Sequence, residues 1–201
     1  MFTSPIKSRP QYRGLRAVAS ARRHLVSVEG EGVKALRALF DGAPAGFSER
    51  AEILYAVPGE DPQEYRAALE ALRPRSCEVF ATGDDVLGAL DRLLATALMS
   101  TRLYAAGTEG FIGRVVKLAV EHGVDHRSVL TEHSGSLARR VQCVHCKGFT
   151  ENVTTSIFEC GHCGTLLFVR DHYSRRLAAF QGVSVNAEEP GSRPVGQEVY
   201  R

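Results

Sequence analysis

Two Cys-x-x-Cys pairs, Cys143-Val-His-Cys146 and Cys160-Gly-His-Cys163, stand thirteen residues apart in the last third of the chain. Thiolate sulfur is a soft metal ligand, and a Cys-x-x-Cys turn presents two sulfurs to one face of a tetrahedral ion. The intervening segment is long enough for a hairpin that brings both turns to the same ion, which is the pattern of a zinc ribbon. Glycine follows each pair, at Gly148 and Gly164, where a tight turn aims backbone N–H groups at sulfur. Such a four-cysteine site is closed, so it holds shape and performs no reaction. A tetrahedral set of sulfur donors also suits iron in a rubredoxin-like centre, which would carry electrons, and zinc is the favoured of the two readings. A plant-type [2Fe–2S] centre is excluded, because it needs Cys-x4-Cys-x2-Cys and a distant fourth cysteine. His145 and His162 lie inside the turns, but four cysteines already complete the tetrahedron, so both imidazoles read as outer groups.

The elements ahead of the cysteines alternate strand and helix. His24–Val28 is an apolar strand, and residues 32–40 carry apolar side chains at helical spacing. Ala51–Val57 is a second strand, followed by a helix through about Leu72 with Asp61 as its cap and Pro62 in its first turn. Cys77–Ala81, a cap at Thr82 to Asp85, and an amphipathic helix over Val86–Met99 form the third unit. Arg102–Ala106 leads into a helix from Phe111 to about His122 that Gly123 stops, and Ser128–His133 is a fifth strand. The expected fold is α/β: a five-stranded parallel, Rossmann-like sheet followed by a small C-terminal zinc ribbon. The expected segments are a basic arm over 1–23, the α/β domain over 24–140, the ribbon over 141–170, and a docking segment with a flexible tail over 171–201.

Composition narrows the function classes. At 201 residues and 44% hydrophobic content the chain can bury a real core, and no stretch reads as a membrane span. The net charge of +2 is too small to argue for nucleic acid, and the basic residues are not interleaved with stacking aromatics. A zinc-ribbon nucleic-acid module is therefore the weakest of the function classes. Lys7, Arg9, Arg13, Arg16, Arg22 and Arg23 precede the first acid, Glu29, and this basic start reads as a docking arm or a disordered leader rather than a targeting peptide. Five cysteines, four in the metal pattern and Cys77 alone, suit a reducing cytoplasm. Arg9, Tyr12, Arg22, Arg23, His172, Tyr173, Arg175 and Arg176 are the candidate partner-interface residues, since Arg and Tyr favour such surfaces.

Glu29-Gly30-Glu31-Gly32 after the first strand contains a G-x-G that lets backbone approach a phosphate, although two glutamates flank it. With Ala106-Gly107-Thr108-Glu109-Gly110 after the fourth strand, it resembles the pyridine-nucleotide-binding module of ferredoxin reductases and oxygenase reductase components. The Leu54–Tyr65 stretch, Gly123-Val124-Asp125 and Val129-Leu-Thr-Glu132 align with further turns of that module. The departures remove cofactor contacts. The family's cysteine near the nicotinamide is Ala106, its proline is Thr108, its arginine turn is Val57-Pro58-Gly59, and its first phosphate loop is Val33-Lys34. Gly30, Gly32, Gly107 and Gly110 thus read as vestigial loops.

A resemblance across nearly the whole chain is to the small subunit of dimethylamine monooxygenase. Lys7-Ser-Arg-Pro-Gln-Tyr12, Arg22-Arg-His-Leu25, the paired cysteine turns and Arg170-Asp-His-Tyr-Ser-Arg-Arg-Leu-Ala-Ala-Phe180 carry it. The resemblance implies a multi-component oxidoreductase that turns dimethylamine into methylamine and formaldehyde with reduced nicotinamide nucleotide and dioxygen. Haem, flavin and iron–sulfur centres would then sit on the partner oxygenase and reductase subunits. This chain would be an accessory subunit without catalytic residues of its own, and a rubredoxin-like electron-transfer component is the alternative.

Overall fold

The computed structural model describes residues 8–57, 66–67, 69–188 and 191–201, arranged as two compact units. The first, Tyr12–Gly135, is built on five parallel strands. They are β1 (Arg23–Glu29), β2 (Ala51–Ala56), β3 (Ser76–Phe80), β4 (Thr101–Gly107) and β5 (Leu130–His133), in the order β3-β2-β1-β4-β5. Helices α1 (Val33–Asp41), α2 (Gly83–Leu94) and α3 (Glu109–Glu121) connect them. Side chains alternate across the pleat. Leu25, Leu54, Leu103 and Ala105 join α2 and α3 in one cluster, while Val26, Val28, Ile53, Tyr55 and Tyr104 join α1 and Phe47 in the other. Burial of β2 along its whole length explains its unbroken apolar run, as a sheet covered on both faces requires.

The expected α/β sheet is thus present, with small shifts at element ends. Thr82 caps α2 by accepting from the Asp85 amide, and Thr108 caps α3 by accepting from the Phe111 amide. The α2 helix stops at Leu94 instead of running to Met99. Its last turn tightens through Ala97 N–H to Leu94 C=O, the Thr101 amide then closes a turn on Leu98, and Leu98 and Met99 are left exposed. Ser128, expected at the start of the fifth strand, belongs to a 3-10 turn whose Asp125 side chain accepts from the Arg127 amide. Asp61 and Pro62 lie outside the described residues; residues 66, 67, 69 and 70 are helical. Gly123 ends α3 with φ +78°.

Residues 12–18 lie along the β4–β5 side of this sheet. The Tyr12 hydroxyl donates to Glu109 at 3.0 Å, the Leu15 amide to Glu132 at 2.9 Å, and the Val18 amide to the Tyr104 hydroxyl at 3.1 Å. Part of the basic arm is therefore integral to the α/β unit. Arg23, at the head of β1, makes a bidentate pair with Glu52 at 2.8 Å on both bonds.

The second unit contains Ser136–Arg201 together with the described arm residues 8–11. Its strands are β6 (Arg139–Cys143), β7 (Phe149–Val153), β8 (Ile157–Glu159), β9 (Leu166–Ser174) and β10 (Ala179–Ser184), ordered β7-β6-β10-β9-β8. The stretch read as a docking segment and tail holds structural elements instead. Asp171–Ser174 completes β9, and β10 is the central strand, parallel to β6 and antiparallel to β9. Phe180 and Tyr200 are buried, and their rings each lie 3.9 Å from the Arg139 guanidinium. Arg139 also pairs with Asp171 at 3.0 Å, and Arg9 pairs with the same carboxylate. Burial raises the Asp171 pKa, but the Arg9 and Arg139 guanidiniums more than reverse this, leaving it lowered. This clasp ties arm, β6, β9, β10 and C-terminal residues together.

His24 is wholly buried in β1, with Nδ1 3.1 Å from the Tyr104 hydroxyl, the Phe47 ring 4.2 Å away and Nε2 without a hydrogen-bond partner among the described residues. Burial, helped by the nearby Arg50 charge, lowers its pKa to about 4. The unfolded imidazole protonates near its ordinary value while the folded one stays neutral, so stability is full above about pH 6.5 and falls towards pH 4. The expected loss is about 3 kcal/mol at most. Denaturant titrations from pH 7.5 to pH 4 should show this slope in the native chain and not in His24→Gln, so that the difference between the two isolates it.

Candidate metal centre

The two cysteine turns are built alike. In the first, the Cys143 amide donates to Gly148 C=O and the Lys147 amide to Cys143 C=O, at 2.9 and 3.0 Å. In the second, the Cys160 amide donates to Thr165 C=O and the Gly164 amide to Cys160 C=O, both at 2.9 Å. Lys147 and Gly164, at equivalent places, take the left-handed backbone that closes each turn, with φ of +64° and +70°. The sequence-based role of Gly148 as the turn residue is therefore corrected. Lys147 makes the turn, and Gly148 is small because the His162 ring lies against it. A β-carbon at Gly148 would stand 2.6 Å from that ring. His162 is held there by Nε2 at 2.7 Å from Phe149 C=O, so the imidazole of one turn braces the other.

All four sulfurs lie within 4.8 Å of one another, with Cys143–Cys163 at 3.9 Å and Cys146–Cys160 at 3.8 Å. A tetrahedral tetrathiolate with metal–sulfur bonds of about 2.3 Å has sulfur–sulfur edges of about 3.8 Å, so the donor set fits one ion. Cys143 and Cys160 are buried beside Leu167, and Cys146 and Cys163 face outward. The outward sulfurs have polar support. The Gly148 amide donates to Cys146 sulfur at 3.4 Å, and the Thr165 hydroxyl lies 3.3 Å from Cys163 sulfur. Thr165 first, through hydroxyl and amide, and then His145 hold the Cys163 thiol well below its ordinary range, at about 5. A cavity of about 410 Å³ opens beside this corner, lined by His145, Glu159, Thr165, Ser184, Asn186 and Arg193 among others.

The remaining sequence candidates divide. Arg9, Tyr12, Arg23 and Tyr173 are engaged within their own units: Arg9 with Asp171, Tyr12 with Glu109, Arg23 with Glu52, and Tyr173 with the Phe180 ring at 5.1 Å. Arg22, His172, Arg175 and Arg176 are exposed. Within the ribbon unit the arm reaches β9, where Ser8 bridges to His172, beside the turn that carries Arg175 and Arg176. Gly30 and Gly107 take positive φ, +52° and +146°, and Gly32 packs against Ala106 so closely that a β-carbon would stand 2.6 Å from its carbonyl. Gly110 faces open space. The brace of His162 on Gly148 and the Arg139 clasp escaped the sequence, because both join residues that only β-pairing brings together. The equal offset of Lys147 and Gly164 from Cys143 and Cys160 is the signal that could have marked the twin turns.

Comparison with known proteins matches residues 4–129 to the N-terminal domain and residues 140–183 to the C-terminal domain of the dimethylamine monooxygenase subunit DmmA-like family. The chain belongs to this family. Its two matched domains flank the division at Gly135 between the structural units. A curated relative, the heme-dependent oxidative N-demethylase delta subunit of Ectopseudomonas mendocina (strain ymp), is 32% identical over 111 residues, or 55% of this chain. The matched region spans 63% of that relative's length. An intact type IV self-sufficient cytochrome P450 monooxygenase is 18% identical over 77% of this chain and 19% of its own, with a TM-score of 0.43. Among the described residues no helix is long and apolar enough to cross a membrane.

If the His162 ring braces the first turn, Gly148→Ala forces the two apart. The expected outcome is a ribbon that keeps its four cysteines but loses metal to a chelator at least about tenfold faster than the native chain, since outer-shell partners tune affinity on that scale. Following metal release with a chromogenic chelator measures this directly.

Proposed function

We propose that this chain is a zinc-stabilised, non-catalytic accessory subunit of a multi-component oxidative N-demethylase. The assembly would convert dimethylamine, dioxygen, reduced nicotinamide nucleotide and a proton into methylamine, formaldehyde, water and oxidised nucleotide. Membership of the DmmA-like family and likeness to a delta subunit support the place in such an assembly. The observation that carries the structural role is the closed centre. Cys143, Cys146, Cys160 and Cys163 supply four sulfurs to one point, which leaves no coordination position for substrate or water. When bound, zinc would supply charge neutralisation and cross-linking of the two turns, not Lewis-acid activation.

This chain's own residues then have a positioning role. The four thiolates hold β6, β7 and the β8–β9 hairpin in register, the Gly148 amide and Thr165 hydroxyl share the sulfur charge, and Arg22, His172, Arg175 and Arg176 offer exposed cationic or hydrogen-bonding groups to partner subunits. Those partners are the oxygenase and reductase components, which would hold the haem, flavin and iron–sulfur centres. The reading places the chain in the reducing cytoplasm, in methylamine metabolism, and apart from nucleic acid and membranes. The exposure of Cys146 and Cys163 favours one second reading, rubredoxin-like iron that passes electrons at the surface.

Metal analysis and an absorption spectrum on protein isolated with its native partners separate the two. One zinc per chain and no visible chromophore are expected; a red protein that bleaches on reduction would establish the electron carrier instead. Cys160→Ser is expected to unfold the ribbon and release the chain from its complex, because structural metal binding is itself folding free energy. A complex that assembles and turns over dimethylamine unaltered with Cys160→Ser would refute the structural role.

A further inference from the structure

Each of the five parallel strands is entered through an arginine. Arg22, Arg50 and Arg75 stand close before β1, β2 and β3, Arg102 is the second residue of β4, and Arg127 lies just ahead of β5. The strands are parallel, with Arg23 opposite Thr101, His24 opposite Ala51 and Glu52 opposite Ser76, so these residues gather at the amino end of one sheet. Acids at the same strand entries are Glu49, Glu52 and Asp125. Arg23 holds the Glu52 carboxyl below its ordinary range, with Arg75 adding a smaller pull, and Asp125 accepts from the Arg127 amide beside His126. Arg50 is spent on the carbonyls of Gly46 and Ala21. Arg22, Arg75 and Arg127 are exposed, and none of them makes an ion pair among the described residues.

The same end displays apolar surface on a firm mount. Beyond α2 the chain turns through Leu98-Met99-Ser100 into β4. The Thr101 amide donates to Leu98 C=O at 2.8 Å and the Arg22 amide to Ser100 C=O at 3.0 Å, which fastens this turn to the approach of β1. Leu98 is 76% exposed and Met99 99%, and neither joins a core cluster. Single exposed apolar side chains are ordinary, whereas two adjacent ones held out by a hydrogen-bonded turn among unpaired arginines form an interface pattern. A turn already fastened also loses little conformational freedom on docking. By strand order the turn stands between Arg22 and Arg75 on one side and Arg127 on the other. The charges select a negative partner, and the apolar turn among them selects protein over a phosphate backbone, which would leave Leu98 and Met99 in water.

We propose that the amino end of this sheet is a docking surface for an acidic protein partner, with Leu98 and Met99 as its apolar anchor and Arg22, Arg75 and Arg127 as its flanking charges. The proposal rests on the subunit role and gives the chemistry of the surface that meets the α/β unit. That surface is an apolar depression rimmed by Asp and Glu on the oxygenase or reductase component. The arginines speed encounter and set orientation, while burial of the two apolar side chains holds the complex together.

The test measures binding of the full-length chain to the isolated oxygenase and reductase components by biolayer interferometry. Met99→Ser, Arg75→Glu and Arg127→Glu are compared with the native chain; all three positions are exposed and outside the core clusters. Each variant is expected to bind at least about tenfold more weakly, the arginine variants through slower association and Met99→Ser through faster dissociation. Native association should slow as salt is raised, and Lys34→Glu, at the opposite end of the sheet, should bind as the native chain does. Native protein that binds while all three variants stay within about twofold of it overturns the docking surface and leaves the subunit role standing. A native chain that binds neither component refutes the subunit role and the docking surface with it. In the assembled complex, irradiation of Met99→p-benzoylphenylalanine should give an adduct on a partner segment with more Asp and Glu than Lys and Arg. No adduct, or one with RNA, with a second copy of this chain or with a segment lacking that acidic excess, overturns the proposal.

Discussion

Four sulfurs converging within 4.8 Å have no mutual attraction that would keep them there as bare thiols, and as thiolates they repel. A bound cation would turn that convergence from a cost into a constraint on the ribbon. It would close two turns that are related by the same pair of backbone hydrogen bonds, and would hold the β8–β9 hairpin to β6. The inner pair, Cys143 and Cys160, also packs against Leu167, so the centre is continuous with a very small apolar core. A sheet of five short strands with so little apolar material has few other sources of stability, which is the usual reason small modules hold a metal. The Arg139 clasp supplies the second fastening at the far end of the same sheet, with two aromatic faces and a carboxylate around one guanidinium.

The α/β unit is stabilised differently. Both faces of its sheet are covered, and its core needs no metal. What distinguishes it is the use of its polar groups. At the amino end of the strands a buried imidazole shares the Tyr104 hydroxyl with the Val18 amide, so residues 12–18 are held to the sheet by the interior. At the carboxyl end, where related architectures admit ligands, side chains of the chain itself meet one another: Glu29 with Thr108, Tyr12 with Glu109, and the Leu15 amide with Glu132. These internal pairings satisfy groups that would otherwise face a ligand.

Much of this fold was legible in the residue order because the signals were local. The alternation of short apolar runs with helical periodicity marked all five parallel strands, and Thr82 and Gly123 marked helix ends through hydrogen bonds spanning only a few residues. The cysteine spacing likewise pointed to a single tetrahedral centre, since two residues between thiols is what one turn allows. Legibility failed where partners are distant in sequence. Asp171 to Phe180 reads as a charged docking segment, yet Asp171 is drawn in by Arg9 and Arg139, and Phe180 by Arg139 and Tyr173. Leu98 extends the α2 stripe in sequence, but the chain must turn at that point to enter β4.

The sequence by itself therefore determined the parallel α/β plan, the four cysteines that converge and the membership that motif order implied. Only the tertiary structure decided which charged residues are available to a partner and whether the ligand edge of the sheet is open. Those outcomes depend on pairings such as Arg23 with Glu52, Arg9 with Asp171 and Glu29 with Thr108, separated by 29, 162 and 79 positions. Periodicity and spacing report on the nearest turn of chain. The fate of a charge is set by whichever group strand order delivers to within hydrogen-bond distance, and that order arises only when the whole sheet is formed.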